Sequence, residues 1–278
     1  MLKVKIASYA GFCFGVERAM NMAWKEVEEN SDVYSLGPLI HNKQAVKKYE
    51  DKGLKVINSL DEAENKSRVI IRSHGVGLKI YEEAKEKGIK IIDATCPFVK
   101  KIQDIVYKYY NEEYKIIIVG DYSHPEVIGI NGWCNNEAVI VKNIEDLDNI
   151  PRNYKKYCVV AQTTMNLNVY EKITEKLEKM LECVEFYNTI CSATRERQKA
   201  AKELSREVDV MIVIGGKHSS NTQKLVQICS ENVITYHIET IDDLDLNKLK
   251  KYSFVGITAG ASTPKWIIEE VVSSIEKL

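Results

Sequence analysis

The sequence predicts an α/β protein of three similar small units, each a parallel sheet covered by helices, set around a pseudo-threefold axis with a central cavity. Three observations lead there. Short apolar runs alternate with amphipathic stretches along the chain, as strands feeding helices do. One order of motifs occurs three times. Polar residues also recur at matching distances from a cysteine in each copy.

Each copy opens with a strand, a cysteine and a helix: KVKIASYAGFCFGVERAM, GIKIIDATCPFVKKIQDIV and VEFYNTICSATRERQKAAKEL. A strand and a polar turn follow: VYSLGPLIHN, KIIIVGDYSHPE and VMIVIGGKHSSN. Next come a strand and an acidic turn: KVINSLDEAE, AVIVKNIEDLD and VITYHIETIDDLD. A last strand ends in small polar residues, RVIIRSHGV, YCVVAQTTMN and YSFVGITAGAST, and runs into a helix. The strands include Ile116–Val119 and Val210–Ile214. Phe98, Ile102, Ile105, Val106 and Tyr109 share one helical face, as do Ile173, Leu177, Met180 and Leu181. Ser262-Thr263-Pro264 is a start signal for the last helix, with proline near the first helical position. The third copy lacks a strand leading to a cysteine, and the N-terminal strand before Cys13 supplies it. The expected units are therefore 14–96, 97–191, and 192–278 together with 1–13.

The chain of 278 residues is 45% hydrophobic and 28% charged, an ordinary globular composition. A net charge of -1 without long single-sign runs argues against a nucleic-acid partner. No apolar stretch is long enough to span a bilayer, and the N-terminus does not read as a secretory signal, so a cytoplasmic protein is expected. Seven cysteines in a reducing compartment are then packing residues, catalysts or metal ligands.

Ligands of open α/β units bind beyond the carboxyl ends of the strands, where every repeated polar slot lies. His41, His124 and Ser219 each stand 28 residues after Cys13, Cys96 and Cys191. His74, Thr163 and Ser262 occupy the next slot, at offsets of 61, 67 and 71. Thiolates suit iron–sulfur clusters or zinc, and three of them without a fourth point to a cubane cluster with one open iron. Close ferredoxin spacing is absent, so this inference rests on the repeat. The competing reading is that the cysteines are small buried hydrophobes. It is preferred for Cys134, Cys158, Cys183 and Cys229, which have no register.

His41, His74, Ser219, Ser220, Asn221 and Ser262 form a candidate anion site, several of them preceding helices whose free N–H groups attract phosphate. Helix capping alone would also explain the serines and asparagine. His124-Pro125-Glu126 is the turn richest in chemistry: a carboxyl beside a histidine and near a metal can donate a proton, although a glutamate at a helix start also suits the dipole. Thr163 or Thr164 could orient a hydroxyl there. His218 is off register, and His237 lies in an alternating strand and is read as structural. Nucleotide-binding glycine patterns are missing.

GFCFGVERAM, HN at 41–42, SHGV at 73–76, DATCP at 93–97, HPEVIG at 124–129, QTT at 162–164, SSN at 219–221 and TAGAS at 258–262 together resemble the 4-hydroxy-3-methylbut-2-enyl diphosphate reductase family. That family performs the last step of the deoxyxylulose phosphate route to isoprenoid precursors. The resemblance implies a central [4Fe–4S] cluster with one open iron, ligated by Cys13, Cys96 and Cys191. It implies diphosphate binding by His41, His74, Ser219, Ser220, Asn221 and Ser262, with His124 facing the substrate. Glu126 would donate the proton, and Thr163 would sit near the substrate hydroxyl. The implied reaction removes that hydroxyl with two electrons and protons, giving isopentenyl and dimethylallyl diphosphate. A ferredoxin or flavodoxin would be the electron donor. Two rivals remain at this point: a non-redox [4Fe–4S] hydro-lyase, which needs no external electrons, and an iron–sulfur sensor or binding protein, which needs no substrate.

Overall fold

The computed structural model of the protein describes residues 2–278. Strand β1 (Lys3–Ile6) leads to helix α1 (Phe14–Glu29). Then come β2 (Val33–Leu36), α2 (Lys43–Glu50), β3 (Lys55–Ile57), β4 (Arg68–Ile71), α3 (Leu78–Glu86) and β5 (Lys90–Asp93). The second series is α4 (Pro97–Asn111), β6 (Lys115–Val119), α5 (Pro125–Asn131), β7 (Val139–Val141), β8 (Tyr157–Ala161), α6 (Leu167–Met180) and β9 (Val184–Tyr187). The third is α7 (Ser192–Leu204), β10 (Val210–Ile214), α8 (Ser220–Ser230), β11 (Thr235–Ile238), β12 (Phe254–Ala259) and α9 (Lys265–Glu276).

These strands form three four-stranded sheets with one pairing order: β3-β2-β4-β5, β7-β6-β8-β9 and β11-β10-β12-β1. Every pair is parallel. Parallel strands need helical crossovers, which cover the sheet and make its central strands continuous apolar runs. Accordingly β2, β8 and β10 are buried along their whole length. Alternation splits β6 between two cores. Ile117 and Val119 pack with Ile173 and Leu177 of α6 on one face. Ile116 and Ile118 pack with Ile102 and Val106 of α4 on the other. Each such side chain contributes roughly 1.5–3 kcal/mol by leaving water.

The acidic turns repeat down to their hydrogen bonds. Each is a short 3-10 segment closed by a capping box. The backbone N–H groups of Asn58 and Ser59 donate to Glu62, those of Lys142 and Asn143 to Asp146, and those of Glu239 and Thr240 to Asp243.

One expectation needs correction. Phe98 is 45% exposed, because it falls in the first turn of α4, whereas Ile102, Val106 and Tyr109 of the same row are buried. The start signal at 262–264 holds: Pro264 is the N-cap of α9, directly before its first helical residue. No helix among the described residues is long and apolar enough to cross a membrane.

The chain groups into two compact bodies. The smaller contains residues 2–17, 40–49 and 192–278, and with them the sheet β11-β10-β12-β1. The larger contains residues 18–39 and 50–191, with the other two sheets.

Candidate functional site

In the three sheets β2 lies beside β4, β6 beside β8 and β10 beside β12, and the chain leaves the two members of each pair in opposite directions. The crevice outside their carboxyl ends is where open parallel sheets bind ligands. The repeated polar slots follow those strands: His41, His124 and Ser219 come after β2, β6 and β10, and His74, Thr163 and Ser262 after β4, β8 and β12.

The cysteines repeat a main-chain bond as well. Cys13, Cys96 and Cys191 follow β1, β5 and β9, edge strands paired to β12, β4 and β8. Their N–H groups donate to the carbonyls of Ala261 (3.4 Å), Ser73 (3.0 Å) and Thr163 (3.0 Å). All three are half-buried, and none of the seven cysteines is in a disulfide. Cys134, Cys158 and Cys229 differ: they are buried, and desolvation pushes their thiols up to about 11, 12 and 12. A thiol held protonated by apolar surroundings is a poor ligand. Cys183 is exposed and belongs to neither set. Three equivalent half-buried thiols at strand ends fit the donor set of an iron–sulfur group.

In the larger body, the second sheet places Glu126 and Thr163 together. Glu126 is 2% exposed, in the first turn of α5. Its carboxylate accepts the Thr163 backbone N–H and the Thr163 hydroxyl, both at 2.6 Å. Burial raises its pKa, and the two Thr163 bonds oppose the rise. His124 caps the same helix, its Nδ1 accepting the Glu126 N–H at 3.2 Å. The neutral ring then carries its proton on Nε2. The His74 and His124 rings meet edge to face, with centroids 5.4 Å apart. One residue given no role from the sequence completes this corner. Gln162, also buried, accepts the Asp121 N–H at 3.0 Å and donates to the Thr164 hydroxyl at 2.8 Å. A polar side chain directly after an apolar strand was the available signal.

In the smaller body, Ser219 caps α8 and its hydroxyl accepts the Thr222 N–H. Ser219, Asn221 and Ser262 are buried, and Ser220 is half-buried. Asn221 is 4% exposed, and neither its amide nitrogen nor its oxygen has a hydrogen-bond partner. The hydroxyls of Ser262, Thr222 and Thr258 are likewise unsatisfied. A buried polar group without a partner costs about 1–3 kcal/mol, so this cluster fits a ligand that brings its own acceptors. His41 lies in the same body, against Gly216: a Cβ there would stand 2.3 Å from the His41 carbonyl oxygen. Only glycine permits that approach. His218 is exposed outside this cluster, and His237 bonds the Gly215 carbonyl at 2.9 Å, a structural role.

The family model described as LytB protein matches residues 4–276. A 4-hydroxy-3-methylbut-2-enyl diphosphate reductase of Clostridioides difficile is 62% identical over 279 residues, covering the whole of both chains. One from Alkaliphilus oremlandii is 53% identical, again over the full length of both. The fold is similar to two solved structures. One is described as (E)-4-hydroxy-3-methyl-but-2-enyl diphosphate reductase, the terminal enzyme of the non-mevalonate pathway: TM-score 0.75, 42% identity, all of both chains covered. The other is the E-1-hydroxy-2-methyl-but-2-enyl-4-diphosphate reductase of Plasmodium falciparum: TM-score 0.92, 33% identity, covering 98% of this chain and 87% of that one.

Proposed function

The chain belongs to the LytB protein family, and from that premise we propose that it reduces 4-hydroxy-3-methylbut-2-enyl diphosphate to isopentenyl and dimethylallyl diphosphate. The observation that carries this reading is the end-to-end identity of 62% to a reductase of that name. The reaction balances as R–OH plus two electrons and two protons giving R–H plus water. The C–O bond breaks, one proton goes to the departing oxygen, and the other goes to the allylic carbon.

Cys13, Cys96 and Cys191 hold a [4Fe–4S] cluster in this proposal; the repeated strand-end register and half-buried state of these three thiols support it. When bound, such a group supplies electrons one at a time and an open iron as Lewis acid for the hydroxyl oxygen. The remaining steps belong to side chains. Burial favours the protonated carboxyl of Glu126. Protonated, it donates to Thr163 Oγ1 across the 2.6 Å contact, and that hydroxyl passes its own hydrogen to the departing oxygen. His124, which caps the helix of Glu126, faces the substrate in this proposal. Ser219, Ser220, Asn221 and Ser262, with His41 and His74, take the diphosphate. Its binding energy positions the reacting carbon and does no chemistry itself.

A ferredoxin or flavodoxin supplies the electrons, and a reducing cytoplasm suits these thiols. We also propose 14–96, 97–191 and 192–278 with 1–13 as the repeating units. Protein purified without oxygen should contain iron and sulfide, absorb broadly in the visible, and turn over only with a reductant. Colourless, iron-free protein would overturn the cluster, and turnover without reductant would favour the hydro-lyase.

A further inference from the structure

The three cysteine loops are not held equally. The N–H groups of Cys96 and Cys191 make 3.0 Å bonds to neighbouring loops. In the Cys13 loop the corresponding N–H bonds are longer: Cys13 N–H to Ala261 and Gly11 N–H to Ala259, both 3.4 Å. Its backbone also bends in ways that need support. Tyr9 has φ +64° and Gly11 φ +93°, and left-handed φ is unusual for an aromatic residue. Strained backbone persists only when its surroundings over-determine it.

Arg197, on α7, supplies that support within the smaller body. It is 2% exposed. Its Nε donates to the Tyr9 carbonyl at 2.7 Å and its Nη2 to the Gly11 carbonyl at 2.8 Å. Both are shorter than the 3.4 Å bonds made by the Gly11 and Cys13 N–H groups. A guanidinium is a rigid fork, so one side chain fixes two carbonyls on both sides of Ala10. The larger body shows a weaker counterpart. Arg18, on α1, donates to the Thr95 carbonyl at 3.1 Å, directly before Cys96. That loop is already secured: the Asp93 carboxylate accepts the Thr95 N–H at 3.0 Å, the Thr95 hydroxyl at 2.5 Å and the Tyr81 hydroxyl at 3.0 Å.

We propose that Arg197 is the positioning residue for Cys13, fixing the approach of that thiolate through the Tyr9 and Gly11 carbonyls, while Arg18 is a redundant hold on the Cys96 loop. The proposal rests on the cluster reading for its consequence, but its geometry concerns only the loop. A fork missing at Arg197 frees residues 9–13 and makes Cys13 the ligand that lets go first.

The test compares Arg197→Lys and Arg18→Lys in oxygen-free holoprotein. Lysine keeps the charge and forfeits the two-point grip. Amide hydrogen exchange over residues 9–13 should quicken about tenfold or more in Arg197→Lys, with the sheets unchanged. Iron release to a chelator should quicken similarly, and alkylation during release should reach Cys13 before Cys96 and Cys191. The unfolding midpoint should fall by only about 2–4 °C, as expected for one lost bond. Arg18→Lys should leave exchange and iron release within twofold of the parent. Unchanged exchange at 9–13, equal effects from both variants, or a large midpoint drop with faster exchange in every sheet would each overturn the proposal. Parent protein that binds no iron would defeat the cluster reading instead, and the exchange experiment would still judge the loop.

Discussion

Replacing Glu126 by glutamine separates proton delivery from architecture. In the parent, the Thr163 N–H and hydroxyl donate to different carboxylate oxygens, both at 2.6 Å. Glutamine retains one oxygen for the N–H. Its NH2 group faces the Thr163 hydroxyl, which can accept instead of donate. The network therefore survives with one bond reversed, at a cost of about 1 kcal/mol or less. The transferable proton is gone, because an amide does not act as a general acid. Loss of a positioned acid costs about 10²- to 10⁴-fold, or roughly 3–5.5 kcal/mol in the barrier. With a chemical reductant in excess, kcat should fall by that factor while KM and iron content stay near parental values. Stability carries a second signature. Burial raises the Glu126 pKa, so its contribution is full at low pH and is lost as pH rises through the raised value. The glutamine variant lacks that loss, and its melting temperature should gain on the parent as pH increases. A kcat within threefold of the parent would refute the assignment of Glu126, and a melting difference independent of pH would refute its burial as the protonated acid.

Asn221→Ala should raise KM at least about tenfold at unchanged or higher melting temperature, since it removes two unsatisfied buried atoms; lower stability with parental KM would contradict the diphosphate role. Cys229→Ala should keep its iron while Cys191→Ala loses it, because desolvation holds the Cys229 thiol protonated; iron analysis of oxygen-free preparations decides. Asp121 is lowered to about 2, chiefly by its hydrogen bond to Lys142 at 2.6 Å. Its stabilisation is present above the ordinary carboxylate range and lost as pH falls through about 2. The melting advantage of the parent over Asp121→Asn should therefore shrink on acidification, and an advantage that persists at low pH would count against the pair.

Legibility from the sequence follows the range of the interactions. The repeated motifs gave strand–helix alternation, the three registered cysteines and both polar slots, because strand patterning, caps and acidic turns depend on residues a few positions apart. The three capping boxes are of this kind, each closed within five residues. Exposure along a helix was less legible. Phe98 matched the apolar row of α4 but lies in its first turn, at the rim of the core.

What the chain alone determined was which residues recur and at which strand ends they stand. What only tertiary structure decided was strand neighbourhood: chain order does not say that β2 pairs with β4, β6 with β8 and β10 with β12, and the β6–β8 pairing brings Glu126 and Thr163 together. Likewise, nothing local marks Arg197 as the partner of Tyr9 and Gly11, some 190 residues away along the chain. Such contacts pay a loop-closure entropy that no short motif records, and they are stable only once the sheets and helices between them have packed.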